Sequence, residues 1–112
     1  MKTNFKNDMR ELMVLAWTMV REQGFTMSEA MKKAWMNYKL RVAMKTRIVQ
    51  FFFIKASTGE LRQAFGTTDT SRYNYEARGG RNGNYAHCVQ YWDCEKNGFR
   101  MYKDYNLVRV AL

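Results

Sequence analysis

Proline is absent from this 112-residue chain, histidine occurs once and cysteine twice. Without proline there is no polyproline recognition segment and no stiff proline-rich linker. With His87 alone an HExxH metal site cannot be built, and no GxSxG, P-loop or GxGxxG run occurs. His87 is expected inside a strand, on the face shared by Tyr85, Val89 and Tyr91. Its neighbour Cys88 then points to the opposite face, so the two cannot act as a nucleophile and base. Cys88 and Cys94 on one extended strand would lie roughly 20 Å apart, beyond the ~7 Å that a disulfide tolerates between Cα atoms. No CxxC or CxxH spacing offers a zinc site, and both cysteines read as small buried hydrophobes. Asp93 and Glu95 share a strand face, which a solvated hairpin end explains more simply than acid–base chemistry. The expectation is a protein that is not an enzyme and carries no cofactor and no metal.

Long apolar runs are missing too. VLAW and FFFI are far short of a membrane span, and MKTNFKNDMREL has no apolar stretch of the secretory kind. With nine methionines and few cysteines, these features lead us to expect a cytoplasmic location and no membrane partner. Acidic residues are absent between Glu29 and Glu60, while Lys32, Lys33, Lys39, Arg41, Lys45, Arg47 and Lys55 all fall there. The net charge is +9. A basic field of this kind attracts phosphate backbones or other anionic partners.

What is present suffices for one domain with a core: 46% of residues are hydrophobic and 15% aromatic. Residues 1–46 read as a helical segment with helices at about 8–23 and 27–45. Asp8 and Glu11 form a candidate capping box, as do Thr26 and Glu29 in TMSE, and Gly24 stops the first helix. Met9, Leu12, Met13, Ala16, Met19 and Val20 recur at helical spacing, then Met31, Ala34, Trp35, Tyr38 and Val42. Leu15 and Trp17 lie off the first stripe. That extra apolar surface suggests a homodimer or protein partner as an alternative function.

From Arg47 the period changes. RIVQFFFIKA reads as a strand apolar on both faces, with Ile48, Phe52 and Ile54 on one and Val49, Phe51 and Phe53 on the other. STGE turns the chain and ELRQAFG pairs back. YAHCVQYWDCE, FRMYK and LVRVAL follow, separated by KNG and by DYN, the latter read as a short turn. The fold expected is α+β, with two N-terminal helices packed on a small five- or six-stranded antiparallel SH3-like or Sm-like β-barrel over 47–112, in one unit with the helices. An open antiparallel sheet with both helices on one face is the rival arrangement.

Between Gly66 and Tyr85 lies YNYEARGGRNGNY, a connection long enough to suggest a function of its own. Arginine forks onto phosphate and tyrosine stacks on bases. The same residues also read as a hairpin, with Tyr73 and Tyr75 on an extra strand and Asn82-Gly83 at its tip. The two readings are compatible. Candidate phosphate contacts are Lys32, Lys33, Lys39, Lys45, Arg47, Lys55, Arg72, Arg78 and Arg81, with Tyr73 and Tyr75 as candidate stacking residues on RNA or single-stranded DNA.

The run TMSEAMKKAW, then STGELRQAFGT, then VQYWDCEKNGFRMYKDYNLVRV, resembles a group of small bacterial proteins described as WYL-like, with an Sm-like SH3 β-barrel fold. The resemblance covers about residues 26–112. It implies a small regulatory or accessory binding module, because WYL domains sense ligands or nucleic acid and Sm-like barrels often bind RNA. A small-ligand sensor is therefore a further alternative. At the third strand this chain has Tyr91-Trp92-Asp93 where WYL domains have Trp-Tyr-Leu, so no ligand-binding residue is carried over.

Overall fold

A computed structural model describes residues 5–73 and 87–111, with side chains from Asp8 onward. Helix α1 spans Phe5–Gln23 and α2 spans Met27–Met44. The Asp8–Glu11 capping box does not hold, because the helix has already begun at Phe5. Asp8 instead accepts a 3.3 Å hydrogen bond from the Tyr38 hydroxyl, tying α1 to α2. The second capping box is present. Thr26 Oγ1 accepts from the Glu29 amide at 3.2 Å, and Glu29 Oε1 accepts from the Thr26 amide at 3.3 Å. Gly24, with φ of 73°, supplies the left-handed step that ends α1.

Five antiparallel strands follow: β1 Val49–Ile54, β2 Leu61–Thr67, β3 Cys88–Asp93, β4 Gly98–Lys103 and β5 Leu107–Ala111. Single 3-10 turns lie at Thr70–Arg72 and Asp104–Asn106. The sheet order is β4-β3-β2-β1-β5. It is not closed: among the described residues no ladder joins β4 to β5. A flat sheet of this order would hold its two edges about 19 Å apart, at ~4.8 Å per strand. The three-residue turn Asp104–Asn106 bridges them directly, so the sheet must curl. At the seam, side chains of α2 serve the backbone. Lys33 Nζ donates to the Leu107 carbonyl at 2.7 Å, and Asn37 Nδ2 donates to the Asp104 carbonyl at 2.8 Å. A helix thus takes the place a closing ladder would occupy.

The curled sheet buries one face of β1. Val49, Phe51 and Phe53 are in the core, whereas Gln50, Phe52 and Ile54 are half-buried and Ile48 is exposed. Burial on both faces is therefore not what happens, because α2 covers that one face and α1 packs on α2. Phe51 is the hub, its ring 5.0 Å from Tyr91 and edge-on, and 5.4 Å from Tyr102. Leu40 and Met44 of α2 and Leu107 complete this cluster. A second cluster joins Leu12, Ala16 and Met19 of α1 to Ala30 and Ala34 of α2. Helix α2 thus faces two partners, and a single stripe through Val42 does not describe it. Val42 is exposed, while Asn37, Leu40 and Met44 are buried.

Candidate nucleic-acid interface

The basic residues of α2 do not share a face. At 100° per residue, Lys32 and Lys39 project together, Arg41 and Lys45 project on the other side, and Lys33 turns toward the sheet. Lys32 and Lys39 are exposed. Lys33 is half-buried, bonded to Leu107 and 5.9 Å over the Phe25 ring, and burial pushes its ammonium pKa down. Arg41 and Lys45 line a cavity of about 240 Å³ between the helices, together with Asp8, Glu11 and Asp104. Tyr75, Arg78 and Arg81 lie outside the described residues, as does Tyr85.

Of the remaining candidates, Arg72, next in the chain to Tyr73, meets the α2–β1 junction that carries Arg47. The carboxylate of Asp69 caps the turn Thr70–Arg72, accepting from the Ser71 amide at 3.1 Å and the Ser71 hydroxyl at 2.8 Å. These bonds, and Arg72 beside them, hold its pKa below the usual value. The capped turn aims Arg72 back at the α2–β1 junction, where its Nη2 donates to the Thr46 carbonyl at 3.0 Å and its Nε to Asp69 at 3.2 Å. Thr46 is flanked by Lys45 and Arg47, so three cations separated by up to 27 positions in the chain gather at one end of the molecule. The junction is held from below by Met44, whose carbonyl accepts from Thr67 Oγ1 and from the Thr68 amide, both at 2.9 Å.

Tyr73 leaves this turn and lies flat on Trp92, with ring centroids 4.5 Å apart and an interplanar angle of 3°. Phe99, opposite Trp92 across the β3–β4 ladder, meets both rings edge-on at 5.6 and 5.2 Å. The three rings are half-buried on the sheet face away from the helices. Trp92 and Phe99 were not among the residues expected to act. For Trp92 its alternation with Tyr91 and Asp93 was the available signal, since alternate residues of a strand share a face, and Phe99 follows as its partner across the ladder.

Lys55 belongs elsewhere. It lines a small cavity at the opposite face of the β3–β4 hairpin with Arg62 and Arg100, two residues not expected at any site. His87 is not inside a strand. It sits in a turn just before β3 with φ of 65°, its Nδ1 3.2 Å from Asp104 and its Nε2 2.7 Å from Glu22. Burial raises the Asp104 carboxyl above its ordinary range, and the imidazole of His87 opposes that shift. The ring bridges α1 to the turn between β4 and β5, a structural post. Cys88 and Cys94 are both free thiols, and Lys103 Nζ lies 3.3 Å from the Cys88 sulfur. Among the described residues no group of three His, Cys, Asp or Glu could hold a metal ion, and no helix is long and apolar enough to cross a membrane.

A family model described as WYL_2, Sm-like SH3 beta-barrel fold, matches residues 37–108, from the middle of α2 to the start of β5. No curated protein and no solved structure matches the chain.

Proposed function

The chain belongs to the WYL_2 family of Sm-like SH3 β-barrel proteins, and within that fold we propose that it is a regulatory or accessory binding module for single-stranded nucleic acid. The contact of Arg72 with Thr46 carries this reading. It brings Arg72, next in the chain to the Tyr73–Trp92 stack, to the junction that also carries Lys45 and Arg47, and a cationic edge next to an aromatic layer is what a single strand needs. The guanidinium groups take successive phosphates, while the aromatic layer favours unpaired bases over a closed duplex, whose bases are already stacked. Asp69 keeps part of Arg72 occupied, so Arg47 and Lys45 carry the outermost charge.

Fluorescence anisotropy with labelled single-stranded RNA, single-stranded DNA and duplex DNA tests the proposal at several salt concentrations. Binding should weaken linearly in log–log form, by about 0.7 per phosphate contact for a single strand. The pair Arg47→Ala/Arg72→Ala should lower affinity about tenfold or more and flatten that slope by one to two contacts, roughly. Lys32→Ala/Lys39→Ala, on a different face, should change it far less. Affinity indifferent to salt would refute a phosphate grip. Equal losses in the two pairs would mean a diffuse field rather than a site.

One observation favours a second reading, a protein-interaction surface. Met13, Val14 and Trp17 lie on one side of α1 and are 41%, 58% and 51% exposed, and Leu15, by contrast, packs into the helix cluster. Light scattering across a concentration series separates the readings. A monomer throughout, with Trp17→Glu unchanged in every binding assay, would remove this one.

A further inference from the structure

The inner face of the sheet ends in charge. By alternation, Lys55 continues the row of Phe53, Arg62 the row of Ala64, Arg100 the row of Tyr102 and Asp93 the row of Tyr91. The ladders place Arg62 opposite Phe53 and Arg100 opposite Tyr91. These residues, with Met101, line a cavity of about 80 Å³. Two guanidinium groups and an ammonium therefore border the same small space as one carboxylate. Among the described residues none of the three cations is in an ion pair; the pairs that form are Arg72–Asp69, His87–Glu22 and His87–Asp104. The carboxylate is engaged elsewhere, since Asp93 Oδ1 accepts from the amides of Glu95 and Lys96 at 2.9 and 3.1 Å.

Like charges beside a low-dielectric core repel, and among the described residues only the Asp93 carboxylate, already engaged by two amides, borders them as an anion. We infer that this cavity is a binding site for one phosphate monoester group. The volume, roughly that of two to three water molecules, suits a tetrahedral oxyanion, so the phosphate head is the part that enters. Arg62 and Arg100 reach in from different strands and can fork onto separate oxygen pairs, the geometry in which arginine surpasses lysine. Lys55 adds a mobile point charge. The Tyr91 phenol feels Asp93, Arg100 and Arg62 and is held neutral by burial, which suits it to donate. A dianion is favoured over a monoanion because three cations face one acid.

The phosphate group can be free, carried by a mononucleotide, or terminal on a strand. This site lies across the β3–β4 hairpin from the Tyr73–Trp92 stack and does not depend on the nucleic-acid proposal above. Isothermal titration of the full chain at fixed ionic strength, using inorganic phosphate, adenosine 5′-monophosphate against adenosine, and a 5′-phosphorylated against a 5′-hydroxyl oligonucleotide, identifies the source. The phosphorylated member of a pair should bind at least tenfold tighter. Arg62→Gln/Arg100→Gln should abolish that difference while Arg47→Ala/Arg72→Ala keeps it. If the double variant unfolds, Arg100→Gln alone, at an exposed residue, should still reduce the preference severalfold. Equal affinity for phosphorylated and unphosphorylated partners, or a phosphate preference that survives loss of both arginines, would overturn the assignment. A failure of the outer-face experiment alone leaves this result intact, because the variants are disjoint.

Discussion

Replacing Asn37 by alanine is expected to lower the unfolding free energy by about 2 kcal/mol, since it leaves the buried Tyr102 hydroxyl without its partner, which costs roughly 1–3 kcal/mol. Asn37 is 1% exposed and uses both ends of its amide. Its Oδ1 accepts from the Tyr102 hydroxyl at 2.7 Å, and its Nδ2 donates to the carbonyls of Lys33 at 2.9 Å and Asp104 at 2.8 Å. Three elements, α2, β4 and the turn between β4 and β5, meet through this one side chain. Tyr102 is itself 3% exposed, so its hydroxyl cannot turn to bulk water when the acceptor is lost. The Asp104 carbonyl loses one of two bonds, since it also accepts from the Leu107 amide. Urea unfolding of Asn37→Ala, Tyr102→Phe and the double variant measures the coupling. An interaction energy of order 1 kcal/mol or more is expected for residues sharing a buried bond. A loss below about 0.5 kcal/mol in Asn37→Ala, within the range of ordinary surface changes, would show that the site is open to water and that the seam is not held this way.

Gly66→Ala should be nearly as damaging, for the opposite reason. A Cβ there would stand 2.5 Å from Cδ2 of Tyr91 and 2.9 Å from Cε1 of Phe51. Both distances are far inside van der Waals contact. Neither ring can yield, because Phe51 is fully buried and Tyr91 is 2% exposed. Overfilling a packed core typically costs 1–3 kcal/mol, and Gly66→Val should exceed Gly66→Ala. The consequence reaches the surface. Gly66 pairs with Asp93 and Thr67 with Trp92 in the short β2–β3 ladder, so displacing Tyr91 also shifts the strand that carries Trp92. Thermal melts followed by tryptophan fluorescence should show a lowered midpoint together with a changed native spectrum. An unchanged midpoint would mean that the sheet relaxes freely at its weakest ladder, contrary to a core organised around Phe51.

Element types and order were readable from local chemistry. The TMSE cap is self-contained within four residues, and Gly24 needs only its own backbone freedom. The change from helical to alternating periodicity at Arg47 marks where the helices give way to strands, and STGE, KNG and DYN fall where the chain turns. Each of these signals depends on neighbours a few positions away, which is why they survive without knowledge of the fold. The first cap, Asp8 with Glu11, shows the limit: a plausible local pattern was displaced by a helix that starts earlier and uses Asp8 to hold Tyr38.

Charge was readable as a quantity and not as a place. Composition shows that the chain is strongly basic, but it cannot say that Lys33 would be spent on a backbone carbonyl, or that Arg62 and Arg100 would face the same cavity as Lys55. Side-chain direction in a sheet depends on register, and a slip of one residue would send both arginines to the opposite face. The curl of the sheet decides the rest. It brings β4 to β5 through one 3-10 turn and places Asn37 in the seam, where α2 stands in for a closing ladder. It also puts the α2–β1 junction under the guanidinium of Arg72. The sequence by itself therefore determined the elements and the sign of the field, because caps, turns and periodicity act over a few residues. Only the tertiary structure decided where that field is concentrated and which polar groups the core must satisfy, because those follow from contacts between strands and helices far apart in the chain.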